Sequence, residues 1–108
     1  MQELYSWMPT LTDLRRLAIG RLKWRSKRSQ LELDLYFDRF IQEGQLDSLS
    51  DFELEAYGSL LDFEDGDLLL FFQKKITVDD ENIQYIIDCI LTSGENYVKS
   101  TTNQIPSN

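Results

Sequence analysis

Histidine is absent from these 108 residues, and with it go the commonest general base and the commonest metal ligand. Cysteine occurs once, at Cys89, so an internal disulfide is excluded, and a zinc site lacks its usual Cys and His donors. Cys89 falls in an apolar helical stretch and reads as a buried, inert thiol. No G-x-G-x-x-G loop exists to cradle a phosphate. No run of 18 apolar residues exists to cross a bilayer, and residues 1 to 12 lack the basic start and apolar stretch of a secretory signal. The acidic cluster Asp62, Glu64, Asp65 and Asp67 lacks the twelve-residue order of a calcium loop, so it reads as a solvated turn. These absences point to an intracellular, soluble chain with no metal site, no membrane insertion and no evident catalytic apparatus.

Basic residues are scarce beyond residue 28. Residues 1 to 28 hold seven Lys/Arg against two Asp/Glu, about +5, and residues 29 to 108 hold four against seventeen, about −13, for a net −8. A basic arm precedes an acidic body. The 42% hydrophobic and 12% aromatic content exceeds that of disordered chains, and the length suits one domain with a modest core. No internal repeat is evident.

Apolar spacing predicts an all-α fold, a compact bundle of about five short helices. The first helix is expected from about Thr12 to Lys27, with Leu14, Leu17, Ala18 and Trp24 as its apolar positions. Gly20 weakens its middle by about 1 kcal/mol relative to Ala, tolerable where a neighbouring helix packs closely. The second runs from Gln30 to about Gln42 with Leu33, Phe37, Phe40 and Ile41 on its core face, and stops at Gly44. Ser50-Asp51-Phe52-Glu53 is a capping box that opens a third helix over 51–62, bearing Leu54, Tyr57, Leu60 and Leu61. Leu68 to Phe72 fits strand or helix by period; a lone strand has nowhere to place its hydrogen bonds, so helix is chosen. After Thr77-Val78-Asp79-Asp80, the residues Ile83, Ile86, Ile87, Ile90 and Leu91 form the clearest amphipathic helix. Phe37, Phe40, Tyr57, Phe71, Phe72, Ile83, Ile87 and Ile90 are core candidates. Residues 1–10 read as a flexible lead-in, 11–93 as the bundle domain and 94–108 as a mobile tail.

The basic arm meets the acidic body at Trp24-Arg25-Ser26-Lys27-Arg28-Ser29-Gln30-Leu31-Glu32-Leu33-Asp34. Ser29 to Glu32 has the S-x-x-E form of a capping box, which would place Arg28 in the connection and Glu32 in the first helical turn, both exposed on one corner. The chain resembles the small all-helical assembly factors of succinate dehydrogenase, which promote covalent FAD attachment to its flavoprotein subunit. The resemblance covers about residues 14 to 92. It is carried by Trp24 with Lys27-Arg28, Leu31-Glu32-Leu33-Asp34, Leu46-Asp47-Ser48-Leu49-Ser50 with Glu53, Leu60-Leu61, and Asp65-Gly66-Asp67-Leu68.

That family's R-G-x-x-E signature stands here as Arg28-Ser29-Gln30-Leu31-Glu32, with Ser in place of Gly; Gly66 likewise replaces a Pro. A Gly at position 29 could serve a close approach or a positive φ, which Ser meets poorly. The resemblance implies a binding protein and not an enzyme. Its partner-binding residues would be Arg28, Ser29, Glu32 and Asp34, with Trp24 and Lys27 completing the patch. It implies no catalytic residue, no stably bound cofactor, FAD as the partner's cofactor, the flavoprotein subunit of succinate dehydrogenase as partner with fumarate reductase as a further candidate, a monomer when free, and the bacterial cytoplasm. Two other classes fit the residues: an antitoxin-like or regulatory helical protein-binding module, and nucleic-acid binding through Arg15, Arg16, Arg21, Lys23, Arg25, Lys27 and Arg28. The acidic body opposes the last.

Overall fold

The computed structural model describes residues 10 to 104, with side chains through residue 93. Five helices follow in order: α1 Leu11–Arg25, α2 Leu31–Gln42, α3 Asp51–Leu61, α4 Asp65–Phe72 and α5 Glu81–Gln104. There is no strand among the described residues, and the fold is all-α as expected. Residues 1–9 of the expected lead-in over 1–10, and the last four residues of the expected tail, lie outside the described residues; Thr10 is the N-cap of α1. The helix of α5 continues through Gly94, where the apolar period ends, because Gly costs only about 1 kcal/mol within a helix and polar residues still propagate one.

Local chemistry explains most of the boundaries. The α3 box forms as read: the Ser50 hydroxyl accepts from the Glu53 amide and the Glu53 carboxylate accepts from the Ser50 amide. A second box, at Thr10 and Asp13, starts α1. Asp80 receives the amides of Asn82 and Ile83 and so opens α5. Gly44 turns the chain after α2 at φ +76, a conformation for which its missing Cβ suits it.

Helices α2 to α5 enclose the core. Leu33, Phe37 and Phe40 from α2 are fully buried with Tyr57 and Leu60 of α3, Leu68 of α4 and Ile86 of α5. Aromatic rings knit these helices together. Phe37 meets Phe72 edge-on at 5.5 Å and Tyr57 at 6.1 Å, while Phe40 stacks on Tyr57 at 5.9 Å. The core candidates named from the sequence are all buried.

Helix α1 departs from expectation. Leu14, Leu17, Ala18 and Trp24 are exposed, and the core-facing residues are Ile19, Leu22 and Ser26. The reason is that α1 packs mainly on α3, so only one narrow stripe at i, i+3, i+7 is covered. Gly20 has no neighbour within 4 Å of where a Cβ would stand; the close approach occurs at Gly58 instead, where that position lies 3.5 Å from Leu22. What the apolar stripe of α1 lacks is made up by polar straps. Arg15 pairs with Asp51 at 2.5 Å and also donates to the Asp47 and Leu49 carbonyls, Lys23 pairs with Asp47 at 3.3 Å, and Arg25 with Asp62 at 2.5 Å.

Candidate functional site

The connection between α1 and α2 is shaped from both ends. At Ser26, the first residue beyond α1, the buried hydroxyl donates to the Leu22 carbonyl at 2.6 Å and shares a 2.6 Å hydrogen bond with the Tyr57 hydroxyl. Burial pushes the Tyr57 phenol up to about 12, against smaller lowering effects from the Ser26 hydrogen bond and the Arg28 charge. At the other end, the Asp34 carboxylate accepts the Arg28 backbone amide at 3.1 Å.

Arg28 occupies the middle of this loop, and its side chain turns inward. One guanidinium nitrogen donates to the Leu61 carbonyl at 2.8 Å, and another meets the Asp65 carboxylate at 3.3 Å. Leu61 ends α3 and Asp65 begins α4. A cation at that junction satisfies a carbonyl with no intrahelical partner and interacts favourably with the negative end of the α3 dipole. The guanidinium also lies 5.9 Å from the centroid of the Phe37 ring, within cation–π range. Its Nε is buried and has no hydrogen-bond partner among the described residues. Only 16% of the Arg28 side chain is exposed.

Two expectations are corrected here. Arg28 is not displayed on an open corner beside Glu32; Glu32 is exposed, and Arg28 is drawn to the α3–α4 junction because two acceptors wait there. The Ser29–Glu32 capping box does not form either. The N-cap of α2 is Gln30, with no side-chain cap bond, and the Asp34 carboxylate secures the loop through the Arg28 amide instead.

Ser29 is exposed, and the positive φ values among the described residues belong to Lys74 and Gly44. Serine therefore stands at the motif's glycine position without left-handed backbone strain.

Of the six residues singled out from the sequence, Trp24, Lys27, Ser29 and Glu32 are exposed, and Arg28 and Asp34 are partly buried ties. Lys27, Arg28 and Asp34 line one groove of about 430 Å³ between the end of α1 and α2, together with Lys23 and Asp38. Trp24 is 76% exposed and does not line it. Sequence reasoning missed Leu31 as a surface feature: it sits 72% exposed in the first turn of α2. It also missed the Ser26–Tyr57 pair. The signal was present, since Ser26 continues the Ile19 and Leu22 stripe. Partial burial raises the Cys89 thiol, which disfavours the reactive thiolate.

The nucleic-acid reading loses ground on geometry. Four of the seven cations of the arm, Arg15, Lys23, Arg25 and Arg28, are paired with Asp51, Asp47, Asp62 and Asp65. No group of His, Cys, Asp and Glu among the described residues is arranged to hold a metal, and no described helix is long and apolar enough to cross a membrane.

Comparison with known proteins agrees with the motif. A family model described as "Flavinator of succinate dehydrogenase" matches residues 20–93. The chain is similar to the protein named "FAD assembly factor SdhE" from Pseudomonas putida, at 34% identity over 73 residues covering 68% of this chain and 86% of the relative. The protein of that name from Pseudomonas savastanoi pv. phaseolicola is 33% identical over 75 residues, covering 69% and 88%. That of Colwellia psychrerythraea is 31% identical over 80 residues, covering 74% and 87%. No solved structure matches. These relatives are named as assembly factors rather than as enzymes. On the family match and the relatives together, this chain belongs to the succinate dehydrogenase flavinator family.

Proposed function

We infer that this chain docks on the flavoprotein subunit of succinate dehydrogenase and promotes covalent attachment of FAD to that subunit, by binding and with no reactive group of its own. Membership of the flavinator family carries the reading. The α1–α2 corner supplies the surface: Trp24 and Leu31 offer exposed apolar area, and Lys27 and Glu32 offer exposed charges of both signs. Such a mixture of an aromatic anchor with charge-assisted donors and acceptors suits a protein hot spot. Arg28 and Asp34 serve as positioning residues, since their hydrogen bonds fix the loop on which the contact groups stand.

FAD remains with the partner, whose own groups perform the bond formation. The chain works as a monomer in the cytoplasm, free of stable cofactor.

In-gel flavin fluorescence of the succinate dehydrogenase flavoprotein, produced with and without this chain, is the direct test. A covalent flavin band that strengthens only in its presence supports the reading. Equal bands reject it.

A further inference from the structure

Gly20 stands where nothing in this chain calls for a glycine. Glycine is the poorest helix former after proline, and its usual compensation inside a helix is a neighbour packed closely against it. Here the position is exposed in the interior of α1, with no neighbour within 4 Å of where a Cβ would stand. Exposed apolar residues surround it. Leu17, Gly20 and Trp24 fall at i, i+3, i+7 on the face opposite the buried Ile19 and Leu22, and Leu14 borders them one turn earlier. Leu14 is 48% exposed, Leu17 61% and Trp24 76%, so an apolar face about 15 Å long is left without a partner.

Charge marks what fits this face. Arg16 and Arg21 flank the stripe, one on each side, and neither has an ion-pair partner among the described residues, whereas Arg15 and Arg25 are strapped to Asp51 and Asp62. The one acid of α1, Asp13, is engaged in its capping box. The face therefore offers apolar surface between two uncompensated cations.

We propose that an acidic, amphipathic helix of the flavoprotein subunit lies along this face and crosses α1 at Gly20. This rests on the function proposed above and names the chemistry of the partner segment. Leu17 and Trp24 form ridges one turn before and after the glycine, and the missing side chain between them lets the two helix axes close to about 8 Å rather than about 10 Å. Carboxylates on the incoming helix pair with Arg16 and Arg21, and its apolar residues cover Leu14 and Leu17. Trp24 belongs both to this face and to the α1–α2 corner, so the two surfaces are continuous and one partner can cover both. A second copy crossing α1 at Gly20 would instead set Arg16 and Arg21 of both chains against one another. The family match begins at residue 20, so Leu14 and Leu17 extend the contact beyond the matched region.

Titration calorimetry of the full chain against the flavoprotein subunit of succinate dehydrogenase tests it, with the melting midpoint of each free variant measured alongside. Gly20→Leu fills the notch at an exposed position and replaces a poor helix former with a good one. The expected result is affinity at least tenfold weaker with a melting midpoint unchanged or raised, a pair of opposite effects that a merely structural glycine would not give. Reversing both flanking charges, Arg16→Glu with Arg21→Glu, is expected to weaken binding tenfold or more and to remove most of its salt dependence. Wild-type affinity in Gly20→Leu overturns the crossing at Gly20, and wild-type affinity in the charge-reversed variant overturns the acidic partner helix; either leaves the proposed function standing. Absence of binding by the unaltered chain overturns both the helix contact and the proposed function.

Discussion

Helices α1 and α2 both border the α1–α2 loop, yet they are held in opposite ways. Helix α2 buries Leu33, Phe37 and Phe40 completely within an aromatic cluster shared with α3 and α4. Helix α1 buries only Ile19 and Leu22 and depends on arginine and lysine straps to acids of residues 47 to 65. The contrast shows what the charge split of the sequence is for: the basic arm is attached to the acidic body by ion pairs where apolar contact is thin. The loop between them inherits one rigid side and one strapped side.

The largest expected effect comes from breaking the rigid side. Phe37→Ala removes a fully buried ring and should cost about 3–5 kcal/mol, read as a fall in urea midpoint for the whole molecule. Arg28→Ala is next. It leaves the Leu61 carbonyl and Asp65 without their donor and should cost about 1–3 kcal/mol by the same measurement, so any loss of binding in this variant mixes stability with contact. Arg28→Lys keeps the charge but not the two-armed reach, and should recover only part of the loss.

Tyr57→Phe should cost about 1 kcal/mol, since the Ser26 hydroxyl keeps its bond to Leu22. It also has a pH signature. The folded phenol is raised to about 12 from 10, so its contribution is present in full below pH 10 and is lost as pH rises from about 10 through 12. The wild-type chain should therefore lose stability more steeply over that window than Tyr57→Phe does.

The smallest effects belong to the straps. Arg15→Gln should cost about 1 kcal/mol or less, because Asp51 is 91% exposed. In native-state hydrogen exchange, however, this change should lower the protection of α1 selectively and leave that of α2 alone. A uniform loss across both helices would erase the distinction drawn between them.

Much of the fold was legible in the sequence. Helices α3 and α5 follow from apolar period and caps, α2 from apolar period and its stop at Gly44, and α4 from the want of a partner strand. The face of α1 was not legible, because Leu14, Leu17, Ala18 and Trp24 keep helical spacing while pointing away from the core; period reports amphipathicity and not which face finds a partner. At the candidate site, the residue types at 24 to 34 pointed to the α1–α2 corner on which the docking proposal stands. Their roles could not be assigned from spacing. The inward turn of Arg28 depends on Leu61 and Asp65, more than thirty residues away, and the capping box at Ser29 lost to the tie between Asp34 and Arg28 within the same loop.

Glu32 is the exposed charge of the motif whose removal leaves the loop ties untouched, so it separates docking from folding more cleanly than Arg28 does. The affinity of Glu32→Ala for the flavoprotein subunit of succinate dehydrogenase, measured by titration calorimetry beside its urea midpoint, tests the account most directly. A loss of binding of about tenfold or more with an unchanged midpoint is the predicted result. Wild-type affinity in that variant would contradict the placement of the docking surface at this corner.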